Sequence, residues 1–216
     1  MIELAEQHYE AEAVLQKLLA DYPNILVGDQ VDPTAPRRWL LVTREAAIPG
    51  EEGGAGRWAL DHLFLDQDAI PTLVEVKRSS DTRTRREVVG QMLDYAANAV
   101  VYWPAEAIRA RFVAASTAAG RDPGQTLAEF LGPEADPEAF WQVAKHNLQA
   151  GRVRLVFVAD AIPPELRRIV EFLNGQMDPA EVIAIEVRQF VGQGVRALVP
   201  RVVGQAAAIQ QAKGAV

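Results

Sequence analysis

Near the N-terminus apolar residues recur at helical spacing. Val14, Leu15, Leu18 and Leu19 share one face, which predicts a helix over residues 6–19 that stops where Tyr22-Pro23 breaks the pattern. The period then changes. Residues 39–43 (WLLVT) read as a strand, and residues 57–66 (RWALDHLFLD) and 71–77 (PTLVEVK) as two more, joined through Gln67-Asp68 as an antiparallel hairpin. Between the first two of these runs, PGEEGGAG places four glycines within residues 49–56, the mark of a flexible loop or wide hairpin.

Helical spacing returns over residues 84–98, with Val88, Met92, Ala96 and Val100 on one stripe. Thr84-Arg85-Arg86-Glu87 has the form of a capping box, in which hydroxyl and carboxylate satisfy free amides at the helix start. Residues 104–136 are rich in Ala, Gly and Pro and predict a helix over 106–118 followed by loops, an insertion without evident chemistry. From Pro137 the pattern regularises: a helix over 138–149 stopped by Gly151, then a strand over 152–159 whose LVFVA portion is apolar throughout. Such a strand is expected to be covered on both faces. A helix over 165–176 turns Leu166, Ile169, Val170 and Leu173 inward, and strands 182–190 and 195–203 form a closing hairpin around Gly192-Gln193-Gly194. Strands and helices alternate without repeat or linker, which predicts a single α/β domain over residues 1–216, a mixed sheet flanked by helices.

Composition narrows the chemistry. There is no cysteine, so disulfides, zinc–thiolate sites and thiol nucleophiles are excluded. The first residues carry charges where a signal peptide needs an apolar core, and no apolar run approaches the ~18 residues of a membrane span. A cytoplasmic protein with no membrane partner is expected. The formal net charge of −7 means that a nucleic-acid partner needs a local basic patch rather than a global field. Residues 77–86 (KRSSDTRTRR) provide one, with Lys77, Arg78, Arg83, Arg85 and Arg86 against Asp81, five positive charges less one negative, or +4.

That run directly follows a strand with an acid and a lysine. Glu75 lies inside the β-branched LVEVK stretch, and burying an unpaired carboxylate costs several kcal/mol unless a cation compensates it. Residues i and i+2 of a strand share a face, so Glu75 and Lys77 point the same way. Asp61 interrupts the preceding apolar run, and hairpin pairing brings it near Glu75 across the ladder. Two adjacent carboxylates repel unless a cation sits between them, and hard divalent ions choose such oxygen sites. A lysine beside the metal can orient an attacking water and stabilise charge on phosphate.

Asp61 with Glu75-Val76-Lys77 resembles the core of the PD-(D/E)XK nuclease superfamily, whose restriction-endonuclease-like fold is a mixed sheet flanked by helices. Gln91 and Tyr95 match the Q-x-x-x-Y spacing of RecB-like members, and as an i, i+4 pair they share a helical face. Glu12, in an E-x-x-L-Q context, corresponds to the acidic residue that the family's first helix usually offers, with Glu10 as its competitor. The layout also resembles NucS-like members, and the likeness covers residues 3–100. One departure is that Leu60, not proline, precedes Asp61.

The resemblance implies Mg²⁺ (or Mn²⁺) held by Asp61, Glu75 and the Val76 backbone carbonyl, with Glu12 as a further ligand. It assigns Lys77 to the attacking water and turns Gln91 and Tyr95 towards substrate or lysine. Arg78, Arg83, Arg85 and Arg86 would grip the DNA phosphate backbone without reading bases. A homodimer is compatible with this. The competing expectations are a non-catalytic nuclease-fold module that binds nucleic acid or a protein partner, and an α/β domain with a solvated charge run. His62 is expected on the face opposite Asp61, packed or hydrogen-bonded; His8 and His146 are expected on helices in structural roles.

Overall fold

Two strands, β4 (Pro71–Lys77) and β5 (Arg154–Ala159), are apolar at nearly every position because both of their faces are covered. In the computed structural model, which describes residues 2–49, 56–80 and 84–204 (without the side chains of 49, 56–58 and 84–86), they are the centre of a mixed sheet. The chain runs β1 (Ala5–Glu6), α1 (Glu12–Asp21), a 3-10 turn (Pro23–Leu26), α2 (Gly28–Val31), β2 (Trp39–Pro49), β3 (Gly56–Asp66) and β4. It continues through α3 (Thr84–Tyr102), α4 (Ala105–Ala118), α5 (Pro123–Leu131) and α6 (Pro137–Gln149), then β5, α7 (Pro164–Gln176), β6 (Glu181–Gly192) and β7 (Val195–Val203). The sheet order is β1-β6-β5-β4-β3-β2, with β7 on the free side of β6. β4, β5 and β6 are mutually parallel and the other pairings antiparallel. The protein is thus α/β, with helices on both faces of a mixed sheet.

Alternate residues of the central strands feed two cores, as the period of two requires. Leu63, Leu65, Leu73, Leu155 and Phe157 pack under α3, α4 and α6 with Met92, Tyr95, Phe112 and Trp141. Phe64, Val74, Val76, Val156 and Val158 face α1 and the 3-10 turn through Leu15, Leu19, Ile25 and Leu26. The end of the sheet where β4 and β5 begin is fastened by a buried ion cluster. There Arg154 donates to Asp66 at 3.0 Å and to Glu181 at 2.6 Å, with its guanidinium 5.4 Å from the Trp39 ring centre.

Three expectations need correction. The first helix starts at Glu12, not residue 6: Glu6 belongs to β1, opposite Phe190, and Gln7 N–H donates to the Gln189 carbonyl at 2.9 Å. No apolar stripe precedes Val14, so the stretch of β6 that runs beyond β5 takes these backbone groups instead. The strand expected at 39–43 continues to Pro49, paired along β3 through an irregularity at Leu41/Thr43. The 104–136 stretch holds a second helix, α5, where loops were expected. Asp122 accepts from Gln125 N–H at 2.6 Å and Pro123 takes the first turn, a strong start signal in plain sequence. Ile108, Phe112 and Leu127 of this stretch are buried in the same core as Trp141. The Thr84 hydroxyl on which the proposed capping box depends, and most of the glycine-rich loop, residues 50–55, lie outside what the structure describes.

Candidate active site at the β3–β4 divergence

The β3–β4 ladder runs from Leu65↔Pro71 to His62↔Val74 and stops there. One residue further, in the same register, Asp61 stands opposite Glu75. Asp61 replaces the missing ladder partner with its side chain, Oδ2 accepting from Val76 N–H at 2.7 Å. The N–H and C=O of a strand residue point the same way, so the Val76 carbonyl also faces the gap that opens between the strands. Oδ1 of Asp61 accepts from the Gln16 amide of α1 at 2.7 Å.

Glu75 is buried, only 2% exposed, and its two oxygens differ. Oε1 lies 3.0 Å from Lys77 Nζ, whereas Oε2 has no hydrogen-bond partner among the described residues. Lys77 Nζ also reaches Glu12 Oε1, at 3.3 Å. Tyr95 of α3 closes the site from the other face: its hydroxyl donates to the Ala59 carbonyl at 3.2 Å and accepts from the Gln91 amide. The structure therefore brings Asp61, Glu75, Lys77, Glu12 and the Val76 backbone together, with Gln91 and Tyr95 behind them. They lie at the carboxyl ends of the parallel strands, Lys77 opposite Ala159 and Ala159 opposite Glu186, where open α/β sheets place their ligands.

Three carboxylates against one ammonium leave the cluster anionic. Burial, and then the neighbouring Asp61 charge, push Glu75 up to about 7, against the pull of Lys77. Asp61 is also raised, by burial against the Val76 amide and Lys77. Burial works against the Lys77 charge, but Glu75, Asp61 and Glu12 more than offset it and hold the ammonium above its ordinary range. Tyr95 is raised, again chiefly by burial.

Other residues fall elsewhere. Arg78 donates to the Glu10 carbonyl at 3.1 Å and so fastens the segment before α1. Arg83 and the side chains of Arg85 and Arg86 lie outside the described residues. His62 is on the opposite face, fully buried, with Nε2 at 2.8 Å from the Gln16 carbonyl and its ring stacked on Phe64. His146 is exposed in the last turn of α6. His8 is not helical: it lies between β1 and α1, with Nδ1 2.8 Å from Asp160 Oδ2. A surface hollow lined by Gln30, Arg167, Arg201 and Gly204 contains none of the candidate residues.

Two neighbours were missed from sequence. Gln16 follows Glu12 by one helical turn, so the spacing was there to be seen. Asp160 follows the all-apolar LVFVA strand directly, which places a carboxylate at the site end of the sheet. Among the described residues no group of three or more Asp, Glu or His side chains is arranged to hold a metal ion; the oxygen groups at the divergence are the Asp61 and Glu75 carboxylates and the Val76 carbonyl, and both Asp61 oxygens already accept hydrogen bonds. Compared with known proteins, the chain matches no family model, no curated protein and no solved structure.

Proposed function

We propose that the chain is a Mg²⁺- (or Mn²⁺-) dependent nuclease that hydrolyses DNA phosphodiester bonds, on a restriction-endonuclease-like core of the PD-(D/E)XK kind. The observation that carries this is Glu75 Oε2, a buried carboxylate oxygen that has no hydrogen-bond partner among the described residues and stands beside a second carboxylate. A buried carboxylate so placed gains from a cation more than a solvated one does. The donor set is oxygen only, two carboxylates and the Val76 carbonyl, as a small hard divalent ion prefers, with waters completing its shell. Bound there, the ion would polarise the phosphate and lower the pKa of a bound water. Asp61 is pre-aimed by Val76 N–H and Gln16, and Glu75 by Lys77. Lys77 keeps its proton and can orient the attacking water, and Arg78 with Arg83, Arg85 and Arg86 would hold backbone phosphates.

The second reading, a non-catalytic module of the same fold binding nucleic acid or a protein, has one observation in its favour. Lys77 already bridges Glu75 and Glu12, so the cluster is partly neutralised from within. Cleavage of a panel of single-stranded, duplex, flap and branched DNA and matching RNA, with and without Mg²⁺ or Mn²⁺, separates the two. Metal-dependent cleavage of DNA that falls at least ~10²-fold in Lys77→Ala is the expected result. No metal-dependent cleavage, together with no calorimetric Mg²⁺ or Mn²⁺ binding that depends on Asp61 and Glu75, would establish the module.

A further inference from the structure

The segment between β1 and α1 crosses the carboxyl ends of the parallel strands and is tied down along its length. Gln7 N–H donates to the Gln189 carbonyl at 2.9 Å, the Tyr9 hydroxyl to the Val187 carbonyl at 3.0 Å, and Arg78 to the Glu10 carbonyl at 3.1 Å. The strap ends at Glu12, which touches Lys77. His8 sits within it, and its partner Asp160 is buried (5% exposed) immediately after β5. Since Ala159 is the register partner of Lys77, Asp160 lies about one strand spacing, ~5 Å, from the chain at Arg78.

Asp160 is built to hold the imidazole. Oδ1 accepts from Ser79 N–H at 2.7 Å and Ala161 N–H at 3.1 Å, the Ser79 hydroxyl is a further donor to this carboxylate, and Oδ2 lies 2.8 Å from His8. Burial raises its pKa, but these bonds outweigh that and keep it below the usual carboxylate range. An ionised carboxylate only accepts, so His8 Nδ1 carries the hydrogen and Nε2 is the nitrogen left to solvent, on a side chain 77% exposed. The charged groups around it are Asp160, Arg78 after β4, Glu10 on the strap, Glu6 paired with Arg188 at 3.6 Å, and Arg196, whose charge reaches Tyr9.

We propose that His8 is the proton-transfer residue of this site, delivering a proton from Nε2 to the oxygen that leaves phosphorus, with Asp160 as its positioning residue. The assignment rests on the nuclease function proposed above. The water oxygen bonds to phosphorus and its surplus proton passes to solvent. The bond from phosphorus to the leaving oxygen breaks, its electron pair stays on that oxygen, and the oxygen takes the Nε2 proton of the imidazolium. Neutral His8 then regains a proton from solvent. The other proton carriers serve poorly: Lys77 is clamped by two carboxylates that tighten its hold on the proton, and Tyr95 is buried. Imidazole is the side chain best matched to proton transfer near neutral pH.

The test uses the intact chain with Mg²⁺ on two substrates, DNA and a nitrophenyl phosphodiester of thymidine, whose nitrophenolate leaves without a proton. His8→Ala and His8→Gln change an exposed side chain, so circular dichroism is expected to show both folded. We expect each to lose ~10²-fold on DNA. The loss on the nitrophenyl ester should be at least tenfold smaller. Nitrogen NMR shifts of His8 should show hydrogen on Nδ1 in the neutral wild-type imidazole and mixed tautomers in Asp160→Asn. No loss on DNA, or equal losses on both substrates, would overturn the role of His8 and leave that of Lys77 standing. A wild type that cleaves neither substrate would remove both proposals.

Discussion

Glu75→Gln tests whether the cluster is an unmet demand for a cation or a finished ion pair. In the folded chain Glu75 is pushed up to about 7 from an ordinary value of 4.5, first by burial and then by Asp61. Because the folded value is the higher one, the unfolded chain gives up this proton first as pH rises. Between 4.5 and about 7 the folded state binds more protons than the unfolded state, so stability is full below 4.5 and falls across that window. The difference corresponds to ~3 kcal/mol at most, and less to the extent that Asp61 and Lys77 share it. Lys77 is protonated in both states throughout the window and adds no slope. Urea unfolding in EDTA from pH 5 to pH 8 should therefore show the wild type losing stability and Glu75→Gln staying flatter, with the variant equal or more stable at pH 8. Excess Mg²⁺ should restore the wild type, by ~2.7 kcal/mol at a hundred times Kd, and leave the variant unmoved. The reasoning fails if Glu75→Gln costs more than ~1 kcal/mol at pH 8 in EDTA. That result would make Glu75–Lys77 a satisfied structural pair.

Gln16→Ala removes the amide that aims Asp61 Oδ1 and should weaken calorimetric Mg²⁺ affinity by ~10–100-fold while leaving the unfolding midpoint nearly unchanged, because Gln16 is only part-buried. Arg154→Met removes the nearer of two cations from fully buried Asp66 at the far end of the sheet, leaving Arg37 at 3.7 Å, and should cost ~3 kcal/mol in urea unfolding. Since that cluster is remote from the site, the folded fraction of Arg154→Met should keep wild-type Mg²⁺ affinity; a parallel loss of affinity would show that the two ends are coupled.

What was legible in the sequence, and what was not, divides along the range of the contacts involved. The β3–β4 hairpin was legible because alternation and a short polar turn are local signals, and Asp66 builds that turn by accepting from Asp68 N–H at 3.0 Å and Ile70 N–H at 2.9 Å. From the hairpin follows the register, and from the register the juxtaposition of Asp61, Glu75 and Lys77. β1 was not legible, since Ala5 and Glu6 become a strand only because the stretch of β6 beyond β5, some 185 residues away, needs hydrogen-bond partners. His8 was misplaced on a helix for the same reason. Gln16 and Asp160 were missed although each carried a local cue, because the cue tells only that the residue faces the site end, not which atom it meets. The unpartnered Oε2 of Glu75 marks the limit most clearly. An acid in a β-branched run announces that it needs a cation, and Lys77 two residues on offers one. Only the three-dimensional arrangement shows that the lysine satisfies one oxygen, shares itself with Glu12, and leaves the other oxygen unmatched among the described residues. A composition-level account would count that pair as closed; the geometry keeps it open, and the pH dependence of Glu75→Gln follows from that difference.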